Sequence, residues 1–174
     1  MCIRDSHLAV TRDSGGTARA FVDGVQRASA DWSTVDITNS GSAGAPRIGV
    51  GVDGKISNLR AIKGSALYTA AFTPPTTALT ATDDTVLLTC QDATVRDNSN
   101  IGHVVTASGD LAIVNEGPFN GYSGSFDGTG DYLSIADSTD FTLGADDFTL
   151  EAWCYFESSN LQIFLGQNLS LIHI

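Results

Sequence analysis

An all-β fold follows from three properties of the sequence. Short apolar or alternating runs recur along the chain, and turn residues interrupt them about every 8–12 positions, the spacing of a sandwich or barrel. Gly, Thr, Ser and Asp are plentiful, and strong helix formers are few. The longest run, DFTLEAWCYF (147–156), alternates cleanly. Phe148, Leu150, Ala152, Cys154 and Phe156 fall on one face, and Thr149, Glu151, Trp153 and Tyr155 on the other.

The elements follow in order. HLAVTR (7–12) reads as a strand with Leu8 and Val10 on one face, and Asp13-Ser14-Gly15-Gly16 turns the chain. ARAFVDG (18–24) returns it, and Asp23-Gly24 is a strong two-residue hairpin signal. A polar loop occupies 29–45. RIGVG (47–51) and GKISNLRAIKG (54–64) flank a second Asp-Gly turn, expected at Asp53-Gly54. LYTAAFTPP (67–75) ends on Pro74-Pro75, which cannot continue a sheet. TVLLTCQD (85–92) has the composition of a buried strand. DNSN (97–100) is a polar turn, and HVVTASGD (103–110) follows it. SGSFDGTGDYLSI (123–135) reads as strand, glycine turn, strand.

Acidic residues outnumber basic ones 20 to 9, for a formal charge of −11. Such a surface repels phosphate backbones and anionic lipid, so neither nucleic acid nor membrane is an expected partner. No apolar run approaches the roughly 20 residues of a membrane span. Cys90 and Cys154 both lie in apolar runs, so they are read as two buried thiols, with a disulfide as the alternative.

The two ends call for separate treatment. MCIRDS is the translation of ATGTGTATAAGAGACAG plus one base, a transposon adapter, and LSLIHI is what the reverse strand of that adapter gives in frame. Residues 1–6 and 169–174 are therefore expected to be foreign, and 7–168 to be an internal piece of a longer reading frame. The sequon-like Asn168-Leu169-Ser170 is discarded on that ground.

Taken together, TVLLTCQD with Asp97-Asn98-Ser99, then SGSFDGTGDYLSI, then FTLEAW resemble the first part of a laminin-G-like module of the concanavalin A-like lectin/glucanase superfamily. HLAVTR, ARAFVDG and GKISNLRAIKG resemble the later part of such a module. LYTAAFTPP looks like the tail of modules found in tandem in phage tail and virion-associated proteins. The likeness spans nearly all of 7–168, but in inverted order. Residues 7–80 correspond to the C-terminal part of one module and 81–168 to the N-terminal part of the next. The resemblance implies an antiparallel jelly-roll sandwich, assembled in permuted order from parts of two tandem repeats. The two parts are expected to dock with shared strand pairing. It also implies a non-catalytic module of a virion or cell surface. Its expected partners are a glycan or host-surface ligand and neighbouring repeats of the same chain. A structural spacer is the alternative, and a glycoside hydrolase a further one.

Each candidate site has a plain structural counterpart. Glucanases of the superfamily carry paired carboxylates on one strand, commonly Glu-x-Asp-x-x-Glu, and that pattern is absent. Glu151 is the nearest candidate, but Thr149 and Trp153 flank it on its face. A retaining pair needs carboxylates about 5–5.5 Å apart, and Asp147, four residues away, sits about 13 Å along an extended strand. No catalytic residue is assigned. Gly49, Gly51 and Gly54 match a dinucleotide fingerprint by letters alone, since a strand-like run follows where a helix is needed. Asp127 and Asp131, at alternate positions around Thr129, resemble part of a calcium loop, with Asp97, Asn98 or Asp137 as further ligands. The counter-reading is a polar glycine turn with no cofactor. His7 is read as a half-exposed strand residue, and no triad can be built on His7 and His103. Trp153, Tyr122, Tyr132 and Tyr155 could stack on sugar rings or pack the core. Trp32, in the polar loop ASADWST, is the aromatic expected to be exposed and to touch a ligand.

Overall fold

The structure, a computed structural model, describes residues 6–37, 45–157, 165–167 and 170–171. Most of the expected adapter residues, along with 38–44 of the polar loop, lie outside that set. The fold is all-β and β-sandwich-like, with two antiparallel sheets.

Among the described residues the larger sheet has eight strands. In spatial order they are Val25–Asp31 (β3), Thr17–Val22 (β2), Ser6–Arg12 (β1), Phe148–Phe156 (β11), Asp53–Lys63 (β5), Ser123–Asp127 (β9) and Ala112–Val114 (β8). Thr85–Thr89 (β6) shares the outer edge of β5 with β9. The smaller sheet runs Ser170–Leu171 (β13), Leu165–Gln167 (β12), Arg47–Ile48 (β4), Tyr132–Ile135 (β10) and Val105–Ser108 (β7).

Strands from 7–80 and from 81–168 interleave in both sheets. β11 lies between β1 and β5, β5 pairs with β6 and β9, and β4 pairs with β10. Neither segment could satisfy the backbone N–H and C=O groups of its central strands alone.

The core lies between the sheets. Leu8 and Val10 of β1, Ile56 and Leu59 of β5, and Phe148, Leu150, Ala152 and Cys154 of β11 pack in one buried cluster with Ile48, Leu133 and Ile135 of the smaller sheet. Alternation dictates this in β1 and β11, and in β5 an irregularity at Asn58 brings Ile56 and Leu59, three residues apart, to the same side. The faces of β11 are those its sequence predicts.

Residues 64–80, which include the strand-like run LYTAAFTPP, form no strand. They cross the opposite face of the larger sheet as a strap. Thr149 Oγ1 donates to Ser65 O and accepts from Leu67 N, both at 2.9 Å. Thr11 Oγ1 donates to Tyr68 O at 2.8 Å, Phe72 N to Gly24 O at 2.9 Å, and Leu79 N to Asn58 Oδ1 at 2.9 Å. Isolated carbonyls and side chains of the sheet replace a ladder, which suits a proline-terminated segment that crosses a sheet face and does not run along an edge.

One other expectation is corrected, a second holds with its strands in different sheets, and two strands form where none was expected. The turn beside β4 lies at Gly49–Val52, where Val52 N donates to Gly49 O at 2.9 Å and Gly49 and Gly51 take φ of 81° and 70°. Asp53 and Gly54 instead begin β5, and a Cβ at Gly54 would lie 2.0 Å from Tyr155 O, so the residue is there for close strand approach. SGSFDGTGDYLSI does give two strands, but β9 and β10 belong to different sheets, so its glycine turn carries the chain across the sandwich. β3 and β8 form from residues with no apolar alternation of their own, each added to an edge that a neighbouring strand left open.

Candidate functional site

The outer face of the larger sheet, under and beside the strap, holds the chemistry. Cross-strand register sets Glu151 between Ala9 and Arg60, and Trp153 between His7 and Ser57. Asn58, at φ 50°, marks the bulge that separates the two rows.

Glu151 is fully buried. Arg60 donates to its Oε1 from Nε at 2.8 Å and from Nη2 at 2.5 Å, and the Tyr68 hydroxyl donates to Oε2 at 2.8 Å. His7 Nε2 lies 3.0 Å from the same Oε2. Arg60 also donates from Nη1 to Thr80 O at 2.9 Å, so strap and cluster are tied together. Burial alone would push the Glu151 carboxyl up. The hydrogen bond from His7, the Arg60 charge and hydrogen bonds, and the Tyr68 hydroxyl together outweigh burial and hold it below the usual carboxylate range. Burial, then the Glu151 charge, push the Tyr68 phenol up. A carboxylate with both oxygens occupied by four donors is a structural hub, not a base waiting for a proton.

His7 is not half-exposed but fully buried. The strap covers it with Tyr68 and Phe72, which stack at 3.6 Å, while Trp153 lies 5.3 Å away on the other side. Arg60 and Tyr68 are the members that sequence reasoning missed. The available signal was a lone arginine within the apolar run ISNLRAIK, which a buried carboxylate must answer.

Beyond the strap the same face turns aromatic. Trp153 and Tyr155 are half-buried, and Lys55 Nζ stands 5.0 Å from the Tyr155 ring centroid. Two carboxylates reach that ammonium, Glu116 at 3.2 Å and Glu157 at 3.8 Å. Phe119 meets Trp153 edge-on at 5.6 Å. Phe119 and Asn120 both take left-handed backbone, at φ 62° and 56°, a cost that non-glycine residues seldom bear. Trp153 Nε1 and Ser123 Oγ are buried with no hydrogen-bond partner among the described residues.

Trp32 is half-buried rather than exposed and packs against the core cluster. Its backbone N donates to Gly16 O at 2.7 Å, and a Cβ at Gly16 would lie 2.4 Å from Ser33 Cα, so a glycine lets this loop fold down onto the sandwich.

Asp127 and Asp131 do come together, joined by Asp110, with one carboxylate oxygen of each within 4.8 Å of the others. Asp131 is buried and accepts Asp110 N on Oδ1 and Asp127 N on Oδ2, each at 3.0 Å. Asp127 Oδ1 accepts Thr129 N at 2.7 Å. Three carboxylates are half or less of a calcium ion's 6–8 oxygens. Asp97 is spent elsewhere, accepting Leu88 N and Ser99 N on Oδ1 and His103 N on Oδ2. Cys90 and Cys154 are free, buried thiols, and burial pushes Cys90 up to about 12 and Cys154 further.

No protein-family model matches the chain, and no curated protein or solved structure matches it either. Among the described residues, no helix is long and apolar enough to cross a membrane.

Proposed function

We propose that the chain is a non-catalytic recognition module that takes a glycan or similar surface ligand on the outer face of its larger sheet. One observation carries this reading. Lys55 sits between the Tyr155 ring and two exposed carboxylates, beside the Trp153–Phe119 pair. Such a combination suits a sugar, with an apolar ring for its C–H face and charged groups for its hydroxyls. The saturated Glu151 cluster supports the non-catalytic part, because its four donors leave no oxygen for substrate.

The two sheets are read as a concanavalin A-like jelly roll assembled in permuted order from two tandem laminin-G-like modules, displayed on a virion or cell surface. The interleaving of 7–80 with 81–168 supports that assembly. Trp32 remains a second contact candidate, and calcium at Asp127 and Asp131 an accessory to binding.

A broad glycan array, run with and without calcium, tests the proposal. Binding should fall at least about tenfold, or ~1.4 kcal/mol, in Tyr155→Ala and Lys55→Ala. Binding lost in Trp32→Ala alone moves the site to that loop. Silence of the wild type across the array leaves the spacer reading in its place.

A further inference from the structure

We propose that β3 is a self-complementary docking edge at which two copies of the chain join their larger sheets by antiparallel pairing about Ser29. Among the described residues β3 ends the larger sheet and has β2 as its one neighbour. All seven of its residues, Val25–Asp31, are exposed. It contains no proline, and its centre is Ala28-Ser29-Ala30, small enough for two backbones to approach. An open edge of this kind offers a row of N–H and C=O groups that only another strand can pair fully.

The partner is read from the charge pattern. A two-fold axis through Ser29 brings Arg27 of one copy, at the end of the regular stretch, beside Asp31 of the other, and does so twice. The same axis sets Ala28 opposite Ala30. Opposite charges facing each other across a strand pair are favourable, and like charges are not. Among the described residues neither Arg27 nor Asp31 enters an ion pair within its own chain. The chain carries −11 overall, yet β3 holds one positive and one negative residue, so the edge is locally neutral on an acidic molecule. That matters for self-association, which net charge otherwise opposes.

The β2–β3 register shifts between Ala20 and Phe21, which pair with Ala28 and Gln26. Arg27 is the extra residue of that bulge. Residues 28–31 keep a regular register, and the long Arg27 side chain spans the offset to Asp31 of the second copy.

Sedimentation equilibrium of the full chain, at loadings up to about 1 mM to catch a weak dimer, decides the question. The wild type should show reversible dimerisation. Arg27→Asp alone and Asp31→Arg alone should each weaken it at least tenfold, because each faces its own like charge across the axis. Mixing those two variants should restore it, since every facing pair is then opposite in sign. Ser29→Glu, which sets two carboxylates on the axis, should abolish it while leaving the melting temperature of this exposed edge unchanged. A wild type that stays monomeric throughout overturns the proposal. So does an Arg27→Asp or Ser29→Glu protein that dimerises as the wild type does, or a mixture that stays monomeric.

Discussion

Glu151 and Asp131 are both buried carboxylates, and they are stabilised in opposite ways. Glu151 is answered by side chains from distant parts of the chain, namely Arg60, Tyr68 and His7, which lie 91, 83 and 144 residues away in sequence. Asp131 is answered by two backbone N–H groups, from Asp110 and Asp127, whose own carboxylates crowd it. The first cluster balances charge with charge across three strands and the strap. The second sets three acids together and leans on peptide dipoles. Removing the Glu151 charge should therefore damage the first site, whereas removing an outlying charge such as that of Asp127, which leaves the Asp131 clamp intact, should relieve the second.

The largest effect should come from Glu151→Gln. It leaves Arg60 buried at 8 % exposure with no counter-charge. Breaking a buried pair on one side costs about 3–5 kcal/mol, which in a domain of this size lowers the melting temperature by about 6–20 °C. The pH dependence carries the same signature. The folded Glu151 pKa lies below its unfolded value of roughly 4.3, so its contribution is fully present above that value and is lost as pH falls through the folded pKa. Thermal melts from pH 7 to pH 2 should show a wide gap between wild type and variant that begins to narrow below about pH 4.3 and closes only once pH has fallen through the lower, folded pKa, where the wild-type carboxyl is itself neutral. A variant melting within about 2 °C of wild type at pH 7 removes Glu151 from the centre of the fold.

The same contrast explains what could be read in the sequence. Asp127 and Asp131 stand four residues apart around a glycine turn, so their meeting was visible in the letters, and only Asp110 had to be brought from elsewhere, the turn between β7 and β8. The alternation of β11 was equally local, and its two faces came out as written. Arg60 could not be assigned to Glu151 without the β5–β11 register, which the Asn58 bulge shifts. Tyr68 sits in a run whose apolar composition suggested a strand. Whether such a run ladders or crosses a sheet as a strap depends on whether the fold carries it along an edge or across a face, a property of the whole sheet. His7 and Trp32 were misjudged for the same reason, since the strap and a glycine-permitted loop contact bury them. β3 escaped notice because an exposed edge strand needs no hydrophobic period.

The second site should respond next to Asp131→Asn. An amide has one oxygen acceptor where the carboxylate has two, so either Asp110 N or Asp127 N loses its partner and faces an NH₂ group. One unsatisfied buried donor costs about 1–3 kcal/mol, or roughly 2–12 °C in melting temperature. Hydrogen exchange at the Asp110 and Asp127 amides should quicken in the variant. Unchanged exchange at both would mean that the turn is held by something other than this carboxylate.

The smallest effect, and opposite in sign, should come from Asp127→Asn. Asp127 is exposed, and its Oδ1 keeps an acceptor for Thr129 N as an amide oxygen, so the substitution removes one of three neighbouring negative charges and little else. In metal-free buffer the melting temperature should rise, by no more than about 2 °C because exposed charge interactions are weak. Calcium reverses the comparison. If the three carboxylates hold the ion, millimolar calcium should stabilise the wild type and leave Asp127→Asn behind it. Asp131→Ala cannot make this distinction, because it destroys the backbone clamp whether or not an ion binds. A wild type whose melting temperature is indifferent to millimolar calcium, paired with an Asp127→Asn protein that is slightly more stable, identifies the trio as a polar turn whose mutual repulsion is borne by two peptide N–H groups.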